Sequence, residues 1–305
     1  MILLAIPAIA LTLASLAAFF GRWSWVLDVL ANFRVQLGVV LGVMALFLLL
    51  AGWLRTGAVV VVGALINALV VVPLFIGGET ADRSEGEPVR IMSFNLLSSN
   101  ERFAEVVNYI RQMDPDVVFL HEASRPWEAA LEGADLPYEL TLSRSSDLIF
   151  GTVVLSRPGD EVTSYGFTTG GARAVEAVHD GVAVLGIHPL APTTAERTAL
   201  RNAQIGFAAD WAAEQNGPHV VTGDFNATPW SYPFRRLQAS TDLINSQKGH
   251  GVQATFPADQ PVWLRVPIDH LLHSPDLVVG ERRLGPRLGS DHFPLVVELW
   301  RRADV

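Results

Sequence analysis

Three uninterrupted apolar runs open the chain, at residues 2–20, 35–53 and 58–76, and each holds 19 residues. At about 1.5 Å per residue, such a run forms a helix of roughly 28 Å, long enough for a hydrocarbon core of about 30 Å. None of the runs contains a charged side chain, and tryptophans stand at run edges, where an indole prefers the membrane interface. The pattern predicts three transmembrane helices within a membrane region at 1–77.

The first run has an alternative interpretation as a cleaved signal peptide. It lacks a basic segment ahead of the apolar core and is long for such a core, which argues against that interpretation. A buried helical hairpin of a soluble protein is a second alternative, and three uncharged runs so close together argue against it. Gln36 and Asn67 are the strongly polar side chains within the runs, and we expect each to face another helix.

Beyond the runs the pattern changes. Residues 78–88 are polar, glycine-rich and acidic, which indicates a short linker. Helical spacing begins at Phe103, and Thr193-x-x-Glu196 has the form of a capping box that opens a helix to about Glu214. Many strands and fewer helices predict a single α/β or α+β sandwich domain at 89–305. The predicted strands are Val89–Leu96, Val117–Leu120, Phe150–Leu155, Ala174–Val178, Val182–Ile187, His219–Thr222 and Pro294–Trp300.

Charges are distributed unevenly along the chain. Residues 1–79 hold three of the 22 basic and two of the 31 acidic residues, so residues 80–305 carry a net charge of −10 and all eight histidines. Nucleic-acid binding depends mainly on neutralisation of phosphates by Lys and Arg, so the acidic balance argues against a nucleic-acid partner. The chain has no cysteine, which excludes disulfides, zinc–thiolate sites and cysteine nucleophiles.

The arginines of the membrane region bear on its orientation. The loop at 21–34 has two arginines and the loop at 54–57 has one. Cytoplasmic loops carry an excess of Lys and Arg, so this count favours a cytoplasmic first loop. With three spans, the domain that follows would then lie in the cytoplasm as well, although the count rests on a difference of one arginine.

Polar clusters follow the predicted strands, and strand ends in layered α/β domains are where sites usually form. Asn95, Glu122 and Asp291 supply the oxygen ligands that a hard cation such as Mg²⁺ requires. Asp269 with His292 forms a carboxylate–histidine couple able to take a proton from water. The other candidates are Asp224 and Asn226, which can orient a water and bond a phosphoryl oxygen, and His188, which can donate to the phosphate or leaving group.

Each motif alone also has an ordinary structural explanation. An Asp-x-Asn turn such as Asp224–Asn226 is common because both side chains bond their own backbone. Glu122 suits a cap for a helix that starts near Ser124, and His188-Pro189 suits a strand end. The order of all the motifs along one domain favours the catalytic interpretation.

That order resembles the endonuclease/exonuclease/phosphatase superfamily over about residues 88–300. The matching stretches are Ile91–Asn95, Val117–Glu122, Gly186–His188, Gly223–Pro229, Ile268–His270 and Gly289–Pro294, of which Gly-Asp-Phe-Asn and Ser-Asp-His are the most specific. The resemblance implies a four-layer α/β sandwich of two packed β-sheets flanked by helices, here preceded by three transmembrane helices. It also implies Mg²⁺, with Mn²⁺ as the alternative, and hydrolysis by water without a covalent intermediate.

The resemblance implies a role for each candidate residue. Glu122 would be the main metal ligand, with Asn95 and Asp291 nearby, and Asp224 would position the attacking water. Asn226 and His188 would bind the phosphate, Asp269 would orient His292, and Arg173 would match an arginine that contacts substrate in some members. The tyrosine that some nuclease members use has only Tyr138 and Tyr165 as loose candidates.

Three apolar runs ahead of such a domain resemble the membrane-anchored, VanJ-type branch linked with teicoplanin resistance. The resemblance implies an extracytoplasmic domain, against the arginine count. We therefore expect a phosphohydrolase at the lipid bilayer that acts on a lipid-linked phosphate such as a polyprenyl pyrophosphate. A membrane-tethered nuclease, with Arg282, Arg283 and Arg287 as a local basic patch, and an inactive membrane scaffold are the alternatives. The oligomeric state stays open.

Overall fold

The computed structural model describes residues 2–78, 86–143, 150–166 and 173–303, without the side chains of Phe150 and Arg173. Most of the predicted linker, residues 79–85, lies outside the described residues. The N-terminal helices are α1 (Ile2–Ala17), α2 (Trp25–Ala31), α3 (Arg34–Leu50) and α4 (Leu54–Val71), with 3-10 turns at Ala18–Phe20 and Val72–Phe75.

Two of these helical segments, Ile2–Phe20 and Leu54–Phe75, are each long and apolar enough to cross a membrane. The middle predicted run forms α3, which has 17 residues. Helices α2 and α3 meet at an angle of 69° and together qualify as a third span if the bent pair is counted as one. The chain therefore has two to three candidate membrane spans ahead of the domain.

Polar side chains join α1, α3 and α4 inside the helical bundle. The Asn67 amide donates to Ser15 Oγ at 2.9 Å and accepts from the Arg34 guanidinium at 3.3 Å. Asn67 thus faces other helices, as the sequence predicts. Gln36 does not, because its amide donates to the carbonyl oxygen of Arg265 in the following domain at 2.9 Å.

Two six-stranded sheets make up the rest of the chain, in the strand orders β11-β12-β1-β2-β4-β3 and β5-β6-β7-β8-β10-β9. Helices lie outside both sheets, so the predicted four-layer sandwich is confirmed. The strands are β1 (Val89–Asn95), β2 (Val117–Ser124), β3 (Glu139–Ser143), β4 (Phe150–Ser156), β5 (Glu161–Gly166), β6 (Arg173–His179), β7 (Val182–Ile187), β8 (His219–Asp224), β9 (Ile244–Asn245), β10 (Asp269–His273), β11 (Leu277–Leu284) and β12 (Leu295–Arg301). The helices are α5 (Phe103–Met113), α6 (Arg125–Glu132), α7 (Ala195–Glu214) and α8 (Tyr232–Ser240).

Each sheet contains one parallel pair, β1–β2 in the first and β7–β8 in the second. Parallel neighbours need a crossover connection, which α5 and α7 supply. The capping residue of α7 is Thr194, whose hydroxyl accepts from the Arg197 amide at 3.1 Å. The cap therefore lies one residue beyond the predicted Thr193, and α7 ends at Glu214 as predicted.

The core between the sheets draws apolar side chains from both, such as Ile91 and Phe119 of the first and Val184 and Val220 of the second. A Cβ at Gly186 would lie 2.1 Å from the Phe119 ring, so the sheets approach closely at this point. Close packing there brings the carboxyl ends of β1, β2, β7 and β8 to one edge of the sandwich.

The N-terminal helices pack directly against the sandwich. Trp230 of the domain is buried in an apolar cluster with Ala18, Ala31 and Leu74 of the helices. The carbonyl oxygen of Leu74 also accepts from the Gly251 amide at 2.8 Å. These contacts hold the domain against the helical bundle.

Candidate active site

Asn95 joins the two sheets at the edge where their parallel strands end. It stands at the end of β1 with 2% of its surface exposed. Its amide nitrogen donates to Glu122 Oε1 and to Asp224 Oδ2, both at 3.1 Å. Glu122 on β2 and Asp224 on β8 are 27 and 129 residues beyond Asn95 along the chain. Side chains from three strands thus meet in one cluster.

Glu122 reaches this cluster through a distortion of its strand. β2 continues to Ser124, beyond the predicted end at Leu120, and its register with β4 shifts between Leu120 and Ala123. The backbone of Glu122 has φ of +56° within this irregularity. A bulge redirects a side chain out of the regular alternation, which explains how Glu122 leaves the sheet face. Ser124 precedes α6 without capping it by a side-chain bond, and Glu122 has no capping role.

Gly223, Asp224 and Asn226 form a tight turn after β8. Gly223 has φ of +138°, and a Cβ there would lie 1.9 Å from the carbonyl oxygen of Ile187. Asp224 Oδ1 accepts from the Asn226 amide at 2.9 Å, and Asn226 itself has φ of +48°. The Asn226 side chain donates to the carbonyl oxygen of Pro189 at 3.0 Å, which leaves one amide hydrogen for a ligand.

His292 lies between two buried carboxylates. Its Nδ1 is 2.8 Å from Asp269 Oδ2, and its Nε2 is 3.7 Å from Asp224 Oδ2. Burial alone would lower the pKa of His292, but the charges of Asp269 and Asp224 outweigh burial and raise it to about 10. Burial raises the pKa of the Asp224 carboxyl, and the nearby His292 charge opposes that rise. The His292 ring is therefore held in its charged form between the Asp269 and Asp224 side chains.

His188, after β7, faces the same cluster. Its Nε2 is 3.6 Å from Asp224 Oδ2 and 3.8 Å from Glu122 Oε1. Its ring centroid is 5.4 Å from that of His121, which is fully buried and shares a hydrogen bond with Thr152 Oγ1. Burial holds the pKa of His121 well below its ordinary value, so the His121 ring is neutral where it packs beside His188.

Asp291 shares this region with the other acidic side chains. It is half-buried, and burial together with the charges of Glu122 and Asp224 raises its pKa. In the described part of the chain, one group of three histidine and acidic side chains, Asp224, Asp269 and His292, brings its ligand atoms within 4.8 Å of one another. Asp269 Oδ1 is buried there and has no hydrogen-bond partner. The free Oδ1 of Asp269 and the nearby carboxylates of Glu122 and Asp291 are oxygen ligands of the kind that a divalent cation requires.

The remaining candidates are Arg173, two tyrosines and the predicted basic patch. The Arg173 side chain is outside the described residues. Tyr138 donates to the carbonyl oxygen of Pro115, and Tyr165 donates to Glu176, so neither hydroxyl belongs to the cluster. Arg282 is buried, with its guanidinium on Ser246 Oγ at 2.9 Å, which removes it from the predicted surface basic patch.

Two residues that support the site were not predicted from the sequence. Ser290 donates to the Asn95 carbonyl oxygen at 2.7 Å and accepts from the His292 amide at 3.0 Å, so it holds two site residues together. Its place in the Gly-Ser-Asp-His motif was the available signal. Arg201 donates to the carbonyl oxygen of Asn226 at 3.0 Å from the middle of α7, where no motif marks it.

A two-sheet sandwich with a buried Asp/His cluster where its parallel strands end has the architecture of a phosphoesterase. The model of the endonuclease/exonuclease/phosphatase family matches residues 92–292, about two thirds of the chain. The chain therefore belongs to the endonuclease/exonuclease/phosphatase family, whose members are typically Mg²⁺-dependent hydrolases.

Solved structures agree with this assignment at the level of the fold. Truncated Caenorhabditis elegans TDP2 has a TM-score of 0.56 and 20% identity, with 71% of this chain and 98% of that chain covered. The human Nocturnin catalytic domain with bound sulfate has a TM-score of 0.55 and 19% identity, over 72% and 95%. The endonuclease/exonuclease/phosphatase from Bacteroides vulgatus has a TM-score of 0.55 and 18% identity, over 71% and 100%. No curated protein sequence matches the chain.

Proposed function

We propose that this chain is a membrane-anchored, divalent-metal-dependent phosphohydrolase that cleaves a lipid-linked phosphate ester or pyrophosphate. The observation that carries the proposal is the cluster of Asn95, Glu122, Asp224 and His292 on a domain seated against apolar helices. The cluster supplies the groups for hydrolysis of a phosphate, and the helices would keep it beside a bilayer.

The residues present fit Mg²⁺, with Mn²⁺ as the alternative. Glu122 and Asp291 would hold the ion with carboxylate oxygens, and burial together with the charges of Glu122 and Asp224 raises the pKa of Asp291, so a cation would offset that charge. Asn95 would contribute its Oδ1 after a rotation of its amide, because this oxygen accepts from the Leu97 amide at 3.0 Å while the amide nitrogen faces Glu122 and Asp224. Asp224 and Asp269 lie close enough to contribute if a second ion binds. A bound ion would act as a Lewis acid on the phosphoryl oxygen.

The protein side chains would divide the remaining work. In the metal-free protein the charges of Asp269 and Asp224 raise the pKa of His292 to about 10 despite its burial, so the ring suits a hydrogen bond to a phosphoryl oxygen. Asp269 would orient His292, and Asp224, fixed by the Asn226 amide, would orient the water, while Asn226 and His188 bind the phosphate.

The substrate class rests on the helical anchor. The short connection and the burial of Trp230 against the helices keep the domain beside the bilayer, which favours a phosphate on a lipid as the substrate. The VanJ-type resemblance makes a polyprenyl pyrophosphate the first choice for an assay. The nuclease alternative has its counterpart in Danio rerio TDP2, whose structure contains a single-strand DNA product, at 16% identity. The acidic domain and the buried Arg282 argue against it here.

Purified full-length protein in lipid nanodiscs tests the proposal. We expect Mg²⁺-dependent phosphate release from a polyprenyl pyrophosphate, and a loss of at least about 100-fold in Glu122→Ala. Glu101→Gln, at an exposed carboxylate, is the matched control and should keep full activity. Hydrolysis of DNA but not of lipid phosphates would favour the nuclease, and a folded protein inactive on every substrate would favour the scaffold.

We also propose that the domain lies outside the cytoplasm. Arg34, one of the two arginines in the first loop, is buried against Ser15 and Asn67, so the loop count that favoured the cytoplasm falls to one arginine on each side. Fusion of the C-terminus to alkaline phosphatase or to a cytoplasmic fluorescent reporter tests this orientation. Activity of the phosphatase fusion alone supports the proposal, and fluorescence alone contradicts it.

A further inference from the structure

Three consecutive large apolar side chains stand exposed on the surface of the sandwich domain. Val262, Trp263 and Leu264 form a 3-10 turn and are 69%, 66% and 41% exposed. Among the described residues from 86 onward, Leu142 on β3 is the only other large apolar side chain that is exposed. A concentrated apolar patch on a charged domain marks an interaction surface.

Hydrogen bonds within the loop that carries the patch keep the three side chains exposed. The Leu264 amide donates to the Pro261 carbonyl oxygen at 2.9 Å, and Phe256 pairs with Val266 across the base of the loop. The Arg265 guanidinium donates to the Gln260 carbonyl oxygen at 2.7 Å and stacks 4.8 Å from the Phe293 ring centroid. These bonds fix the ends of the loop, so the tip cannot fold its apolar side chains inward.

The patch adjoins the start of α3, which together with α2 forms the bent candidate membrane span. Gln36, on the first turn of α3, donates to the carbonyl oxygen of Arg265, the residue directly after the patch. Phe33, just before α3, is 43% exposed, and Trp25 of α2 is 36% exposed. Aromatic side chains at the end of an apolar helix lie at the membrane–water boundary. The patch is therefore linked, through Gln36, to a helix end that carries exposed aromatic side chains.

The same loop also carries one wall of the active site. The Ala258 amide donates to the carbonyl oxygen of Asp291 at 2.6 Å, and the Phe256 ring centroid lies 4.9 Å from that of His292. At the other end of the loop, Thr255 Oγ1 accepts from the Asp269 amide at 3.3 Å. A contact at the tip is thus connected to the residues around His292 by a few bonded neighbours.

We propose that Val262, Trp263 and Leu264 insert into the interface of the bilayer that holds the N-terminal helices. The partner is the lipid surface itself, because the patch is continuous with the helices through the Gln36–Arg265 bond. The lipid contact does not require the chain to be an enzyme. Its consequence, that the active site receives phosphates from the same bilayer surface, rests on the proposed function.

The absence of cysteine allows a clean test with the full-length chain. Leu264→Cys and Leu142→Cys, both at leucines that are 41% exposed, would each carry an NBD fluorophore in nanodiscs. We expect NBD at 264 to be quenched by doxyl lipids and shielded from iodide, and NBD at 142 to behave in the opposite way. Equal iodide quenching at both positions overturns the proposal. Shielding from iodide at 264 without quenching by doxyl lipids also overturns it, because the tip would then contact protein rather than lipid.

A second measurement separates this proposal from the proposed function. Replacement of Val262, Trp263 and Leu264 by serine should lower the ratio of turnover on membrane-embedded to water-soluble phosphate esters by about ten-fold. An unchanged ratio contradicts the link to substrate access. If the parent protein hydrolyses neither ester, the proposed function fails, and the quenching result still decides whether the tip contacts lipid.

Discussion

Asp28 of α2 and Arg201 of α7 form an ion pair with side chains that are 1% and 0% exposed, across the boundary between the helical bundle and the sandwich. Each partner also contacts the segment that follows β8. Asp28 Oδ1 accepts from the Tyr232 amide at 2.7 Å, and Arg201 donates to the carbonyl oxygen of Asn226 at 3.0 Å. Nearby, Asn32 accepts from the Thr228 hydroxyl at 2.9 Å. The short helix α2 therefore holds the loop that carries Asp224 and Asn226.

Removal of one partner of this pair should be costly. In Asp28→Ala the Arg201 guanidinium stays buried without its counter-charge, for which we expect a loss of about 3–5 kcal/mol in the free energy of unfolding. Chemical denaturation of the full chain in detergent, followed by circular dichroism, measures the loss. Glu105→Ala removes an exposed pair with Arg102, with side chains 57% and 52% exposed, and should cost less than about 1 kcal/mol. Equal losses in the two variants would contradict the assigned role of Asp28.

Gly223→Ala should damage the active site through the backbone. The new Cβ would meet the Ile187 carbonyl oxygen at 1.9 Å, so β7 and β8 must separate where Asp224 is held. We expect a destabilisation of at least about 2 kcal/mol and loss of phosphate release. In Gly206→Ala, on α7, the Cβ enters open space and should stabilise the helix by about 0.5–1 kcal/mol. Thermal unfolding and activity of both variants provide the comparison.

Asp269→Asn should lower the pKa of His292. The variant loses the charge 2.8 Å from Nδ1, and burial then favours the neutral ring. NMR of ¹³C-labelled histidine in metal-free protein should give a His292 titration near 10 in the parent and a clearly lower value in the variant. Activity near neutral pH should fall by about 100-fold or more. Asp210→Asn, at an exposed position of α7, should leave both unchanged, and a parent titration near the ordinary histidine value would disprove the imidazolium assignment.

His270 should make the fold sensitive to acid. It is fully buried between Phe225 and Phe234, and burial lowers its pKa to about 3, from an ordinary value of 6.5. The unfolded chain therefore binds a proton that the folded chain refuses, and stability declines as pH falls from 6.5 toward 3. Between pH 6 and 5, His270→Gln should lose about 1 kcal/mol less than the parent. From pH 7.5 to 8.5 the free energy of unfolding should change equally with pH in the two proteins. An equal change between pH 6 and 5 as well would show that His270 does not cause the acid sensitivity.

The sequence predicts the sandwich and the cluster well because both depend on local patterns. Buried strands appear as apolar runs, and Asp224 and His292 follow such runs within specific motifs. The bulge that redirects Glu122 left no signal, since it depends on the pairing of β2 with β4. The sequence also did not distinguish Thr193 from Thr194 as the cap of α7, because two adjacent threonines offer equivalent hydroxyls.

Contacts between distant segments could not be predicted. Asp28 reads as an isolated acid in a loop between spans, and its partner lies 173 residues further along the chain. Gln36 and Arg265 are 229 residues apart and bond through a backbone oxygen, which no side-chain pattern encodes. The sequence of the helical region therefore predicts a simple anchor, whereas the structure shows that it also forms hydrogen bonds to the segment that follows Asp224 and Asn226.

The spacing of Asp28 and Arg201 also orders events during synthesis. The helices leave the ribosome first, and a buried aspartate must wait for an arginine made 173 residues later. Until then α2 lacks its counter-charge and Ala31 lacks the cover of Trp230. Completion of the nascent domain would thus finish the folding of the anchor, and a chain arrested before α7 should present a half-assembled bundle to quality-control proteases.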